Sequence, residues 1–269
     1  MRLLPPSNVP PRVTCFSICL PSHPANQAGA RERVIERYLE LFDEFEIPVT
    51  WGLVDPTNRD RVAQLRSRPL AHEIALYHQA DPQGARTGRQ AAAVPWPRQV
   101  SAAKGAGCEV VTLVCRGPSD QDRGESLTDW CGGLVRAGIR MVVRDRITST
   151  NRYANHPIKT LRYGLWEMES SLVMGDERMR AGGLGLRRRV DRAMSAGGLC
   201  HVALGEAVTA DRQVLRPLER LFRHVARRRQ ERQLEVQTIS QVALQLPRRR
   251  SGRPAQSILR RPSPIPYAA

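Results

Sequence analysis

His72-Glu73-Ile74-Ala75-Leu76-Tyr77-His78 sets a short apolar run between two histidines, downstream of Ile47-Pro48-Val49-Thr50-Trp51-Gly52-Leu53-Val54. Runs of four to eight apolar residues read as buried strands. Here they give one strand over Val49–Val54 and another over His72–Leu76. Upstream, Arg31–Phe45 has apolar positions Val34, Ile35, Tyr38, Leu39, Leu41, Phe42 and Phe45, the spacing of an amphipathic helix. Between the two strands Arg59–Arg66 reads as a short helix. A strand–helix–strand order with both strands apolar points to a parallel α/β fold.

The same rhythm extends outward. Val13–Leu20, bounded by prolines, reads as a first buried strand. Beyond His78, Gln79–Arg98 is rich in Gly, Pro, Ala and Gln and reads as a long loop leading into a helix at about Pro97–Gly105. Val110–Cys115 and Ile139–Arg144 are strand-like and flank a helix from about Glu125 to Ala137, which Gly138 terminates. Leu161–Val173 holds a strand or two, Arg187–Ala196 a helix ended by Gly197-Gly198, and Leu199–Leu204 a further inner strand. A charged helix, Arg212–Gln233, then leads to Leu234–Ile239 and a last short helix ending at Leu246.

The organisation expected is a flexible N-terminus over 1–12, one domain over 13–246 and a tail over 247–269. The 269 residues can bury one sizeable core, and apolar residues make up 41% of them. The tail carries six arginines, five prolines and no acid, a composition that predicts disorder. No apolar run approaches the ~18 residues of a membrane span. Prolines break the first residues where a signal peptide needs an apolar core, so a cytoplasmic location is the expectation. The six cysteines form no CxxC pair, and several sit in apolar runs, as buried reduced thiols do.

A formal charge of +16 raises the question of polyanionic partners. Of the 42 basic residues 40 are arginine, and from Asp211 onward 14 arginines face 4 acids. The excess therefore sits in the last long helix and the tail, which can contact an anionic surface through non-specific electrostatics. No sequence pattern of a nucleic-acid-binding module accompanies it, so nucleic acid is not the expected partner.

The order of these elements, and the string from Thr50 through His72-Glu73-Ile74, resembles the polysaccharide deacetylase (NodB-homology) family from Val13 to Leu246. The resemblance implies an irregular (β/α)7 barrel, with functional groups at the C-terminal ends of its strands. It also implies metal-dependent removal of acetyl groups from N-acetylated sugars, with a divalent metal such as zinc and a carbohydrate partner. Against the family pattern, Cys19 stands where a metal-binding Asp is expected. Tyr77 and Asp81 occupy the two positions of the metal histidines when counted without a gap, and a one-residue shift brings His78 into the first. Arg116-Gly117-Pro118 matches the motif whose arginine orients the catalytic base. His201 matches a non-catalytic histidine, and Gly205 replaces the general acid.

Two readings follow from the resemblance. One is a divergent hydrolase with metal ligands His78 and Asp81, an orienting Arg116, and substrate contacts from His72, Tyr77 and His201 near the mouth. The other is a non-catalytic relative that binds carbohydrate or another partner. With the base, the metal Asp, a metal His and the acid all replaced, impaired catalysis is the expectation.

Overall fold

The computed structural model describes residues 12–20, 28–79, 96–116, 127–145, 158–174, 185–204 and 212–246. The expected flexible N-terminus up to residue 11, the basic tail 247–269, Asp81 and Gly205 lie outside them. In chain order the elements are β1 (Arg12–Leu20), α1 (Ala28–Glu44), β2 (Thr50–Leu53), α2 (Arg59–Arg66), β3 (Glu73–Gln79), α3 (Trp96–Gly105), β4 (Thr112–Arg116), α4 (Leu127–Ala137) and β5 (Met141–Asp145). There follow β6 (Ile158–Thr160), a 3-10 turn at Arg162–Gly164, β7 (Trp166–Glu169), β8 (Leu172–Met174), α5 (Leu186–Gly197), β9 (Leu199–Leu204), α6 (Arg212–Gln230), β10 (Leu234–Val236) and α7 (Ile239–Gln245).

The strands form one sheet in the order β6-β7-β5-β4-β3-β2-β1-β9-β8, with β10 added beside β1. Every pairing is parallel except β6 with β7. Ten strands stand where the resemblance implied seven. The extra ones are three-residue pieces, and polar Ile158-Lys159-Thr160 has too little apolar character to announce itself.

β7 and β8 lie towards opposite ends of this order, yet only Ser170 and Ser171 separate them. The sheet must therefore curl until its edges meet. Ser170 N donates to Arg144 O of β5 (3.3 Å), and Ser171 N donates to His201 O of β9 (2.9 Å). The two serines thus join the two sides of a barrel at a seam.

Curling gives the sheet a helix-facing outside and an inside, and each strand alternates between them. Phe16, Ile18, Trp51, Ile74, Leu76, Leu113, Val142 and Val202 point outward into one core with Ile35, Leu39 and Phe42 of α1 and Leu218, Leu221 and Phe222 of α6. Phe42 packs edge-on to Trp51 (centroids 5.8 Å apart) and tilted on Phe222 (5.1 Å). Cys15, Cys19, Ala75, Tyr77, Val114, Met141, Val143 and Met168 point inward, where they meet Ile239, Val242 and Ala243 of α7. The last helix is thus a plug in the barrel rather than part of its outer wall.

Candidate functional site

In a parallel barrel all strands end on one rim, and side chains there converge on a mouth. The register places Cys19 of β1 beside Gly52 of β2, and Gly52 beside Ala75 of β3. One step further along β3 stands inward-facing Tyr77. An added Cβ at Gly52 would lie 3.3 Å from both Cys19 Sγ and Tyr77 Cβ. A side chain there would press on both residues, so glycine is what lets β2 pass between them. Both side chains are buried, Cys19 at 1% exposure and Tyr77 at 2%. Arg116 ends β4 opposite Asp145 of β5, and its strand position puts it on the same rim.

His78 is placed differently from its expected role as a metal ligand. Ala75 and Tyr77 face inward, so the alternation of β3 turns His78 outward with Ile74 and Leu76. Its register partner Cys115 packs against the same outer core. Counting without a gap, which put Tyr77 at the family position, agrees with the pleat. Among the described residues no group of three His, Cys, Asp or Glu side chains could hold a metal ion. Cys19 beside Tyr77, with His78 on the other face, falls short of the three protein ligands that a catalytic zinc takes.

His72 also departs from its expected place near the mouth. It precedes the first residue of β3, six residues before His78, which is about 20 Å along a strand. At this base end its ring packs against Phe42 and Trp51, and Nδ1 accepts from Val49 N at 3.3 Å. Burial, together with the positive charge of Arg68, lowers its pKa from 6.5 to about 4. The imidazole is neutral and structural.

His201, expected to touch substrate, is sealed inside the barrel at 0% exposure. Ser17 Oγ of β1 lies 2.9 Å from Nε2, and Ser170 Oγ of the seam 3.1 Å from Nδ1. When the Ser170 hydroxyl donates to Arg144 O (3.3 Å), its oxygen accepts from Nδ1–H. Nε2 is then left bare to accept from Ser17. His201 N in turn donates to Ser171 Oγ at 3.2 Å. Burial pushes the His201 pKa down to about 3, which holds the ring in this neutral form. A serine, a histidine and a second serine in line resemble a nucleophile with its base. With Ser17 also at 0% exposure, the line braces the barrel across its seam instead.

A second polar network closes the base. Glu73 Oε2 accepts from Thr50 Oγ1 (2.7 Å) and from Ser240 N (2.8 Å), while Thr50 Oγ1 accepts from Ile239 N (3.1 Å). Burial raises the Glu73 pKa, opposed by hydrogen bonds from Thr112, Thr50 and Ser240. Burial also raises the Cys15 and Cys200 thiols, Cys200 to about 12, and all six cysteines are free. The Cys15 and Cys200 thiols therefore stay protonated at neutral pH, in line with structural cysteines.

Sequence reasoning passed over Ser17, Thr50, Glu73, Ser170 and Ser171. The available signal was a hydroxyl or carboxylate inside an apolar strand, which must find a partner once buried.

No protein-family model matches the sequence, and no curated protein matches it. Solved structures do. A candidate polysaccharide deacetylase from Mycobacterium smegmatis superposes with a TM-score of 0.57 at 15% identity, covering 86% of this chain and 88% of that one. One from Bordetella bronchiseptica, described as involved in O-antigen biosynthesis, gives 0.51 at 12% identity, covering 82% of each chain. An allantoinase gives 0.53 at 12% identity, covering 87% and 90%. The fold thus hosts more than one activity, and function must be argued from this chain's own residues. Among the described residues no helix is long and apolar enough to cross a membrane. The likeness extends over most of each chain and establishes that this chain carries the polysaccharide deacetylase fold.

Proposed function

We propose that the protein binds an N-acetylated carbohydrate at the mouth of its barrel and has an impaired hydrolytic step. The observation that carries this reading is the make-up of the described inward positions near the rim. Cys19, Gly52 and Tyr77 present a thiol, a bare backbone and a phenol, with His78 turned to the other face. Attack on an amide needs an activated water and a proton for the leaving amine, and each acid–base contribution is worth about 10²–10⁴-fold. Cys19, Gly52 and Tyr77 include no imidazole or carboxylate to supply either, and His201 is already engaged at both ring nitrogens. A sugar needs only hydrogen-bonding surface, and in this reading it is sought at the rim where Arg116 ends β4.

The test is calorimetry with an N-acetylglucosamine hexamer, paired with an acetate-release assay in the presence of zinc, nickel or cobalt. Binding without acetate release is expected, weakened by Arg116→Ala. Stoichiometric metal in the purified protein, with acetate release abolished by His78→Ala, would overturn the proposal in favour of a divergent hydrolase.

A further inference from the structure

Helices α5 and α6 are adjacent on the outer wall, tied by Asp191 of α5 to His224 (3.0 Å) and Arg228 (3.2 Å) of α6. Together they hold 11 arginines against two acids, Asp191 and Glu219. Arginine-rich composition across the chain does not explain this. Helix α1, of similar length, sets Arg31, Arg33 and Arg37 against Glu32, Glu36, Glu40, Asp43 and Glu44.

The arrangement on α6 is specific. Arg216, Arg220, Arg223 and Arg227 are all exposed and recur at intervals of four, three and four residues. That spacing lines them up on one solvent face for about 16 Å. Like charges at such spacing repel by a few tenths of a kcal/mol per pair; of the four, Arg227 lies 3.8 Å from Glu231 and Arg223 stands over the Phe45 ring. Arg187, Arg188, Arg189 and Arg192 of α5 are exposed beside it. The stripe also has a direction. α6 follows β9, which ends at the mouth, and leads to β10, which pairs with the first residues of β1 at the base. It runs from the rim down the wall.

We propose that this stripe holds an acidic polysaccharide, one whose repeating carboxylate or phosphate groups pair with the guanidinium forks while another part of the same chain reaches the mouth. The proposal rests on the reading of the mouth as a sugar site and names its ligand class. Arginine forks match carboxylate and phosphate oxygens two at a time. Membrane docking would add exposed apolar side chains, and single-stranded nucleic acid would add stacking aromatics. The exposed large hydrophobic residues among those described are Val135, Tyr163 and Leu244, none of them on α5 or α6.

Binding of the full chain is measured for a hyaluronan oligosaccharide, which alternates N-acetylglucosamine with a carboxylate sugar, for the neutral N-acetylglucosamine hexamer, and for a DNA duplex of random sequence. Hyaluronan is expected to bind more tightly than the neutral hexamer, and to weaken about tenfold or more between roughly 50 and 200 mM salt. Replacing Arg216, Arg220, Arg223 and Arg227 together by Gln, or by Glu, should remove that advantage and leave the neutral hexamer unaffected. Equal affinity for both sugars, or hyaluronan binding untouched by the substitutions, would overturn the stripe. Tighter binding of the duplex at the same salt, lost in the same variants, would assign it to nucleic acid instead. If the neutral hexamer fails to bind while hyaluronan binds through the stripe, the reading of the mouth falls and the stripe stands.

Discussion

At the scale of single residues, the most buried imidazole among the described residues makes a prediction about acid. His201 has its pKa lowered from 6.5 to about 3, so the folded state favours the neutral ring. That contribution is fully present above about pH 6.5 and is lost as pH falls towards 3, at about 1.4 kcal/mol per pH unit for one proton. His72, lowered to about 4, acts in the same sense, whereas Asp43 and Glu73, raised by burial, act against it. The difference between wild type and His201→Gln isolates one group. Denaturant unfolding at pH 6 and pH 4 should show the variant's stability falling less steeply, by about one proton. Parallel slopes would mean that His201 carries no burden of burial. The residue scale is also where the sequence was least legible. Strands of a parallel sheet are apolar on both faces, so alternation along Ile74-Ala75-Leu76-Tyr77 does not say which face is inside. A one-residue choice between Tyr77 and His78 therefore exchanged a barrel-lining residue for one on the helix side.

At the scale of elements, most boundaries followed from apolar runs and their terminators. α2 spans Arg59–Arg66 and β9 spans Leu199–Leu204, as read from the sequence. What spacing could not convey was that the last helix enters the barrel. α7 has Ile239, Val242 and Ala243 on its buried face and exposed Leu244 on another, a pattern that fits an outer helix equally well. Its position is fixed by polar contacts distant in sequence. Thr238 caps its N-terminus within a capping box, and Glu73 and Thr50 take the amides of Ser240 and Ile239. Glu73→Ala leaves Ser240 N and Thr50 Oγ1 without their acceptor, at about 1–3 kcal/mol for each buried group so orphaned. Urea unfolding should register that loss, and Glu73→Gln, which keeps an acceptor oxygen, should cost less. A loss below about 1 kcal/mol for the alanine variant would show that α7 is held by its apolar face alone.

At the scale of the whole molecule, the barrel is strong on one side and stitched on the other. β1 pairs with β2, β9 and β10 at once, and β2 and β3 continue the ladder with four-residue registers. At the seam β7 and β8 are consecutive in the chain and close the barrel through a four-residue ladder to β5 and a three-residue ladder to β9. Ser170, Ser171 and His201 add the few hydrogen bonds already described, and β6 and β8 are three residues each. Opening the seam therefore breaks few bonds and exposes little of the outer core, whereas separating β1 from its neighbours requires global unfolding. Native-state hydrogen exchange should then rank the amides of β1, β2 and β9 slowest, near the global stability, with β6 and β8 exchanging through smaller openings. Ser171→Ala, which removes the acceptor for His201 N, should speed exchange at β8 and at His201 and leave β2 and β3 unchanged. Uniform protection across all ten strands would mean that the seam is as firm as the ladder, and that the Ser17–His201–Ser170 line binds the two sides more tightly than its count of hydrogen bonds suggests.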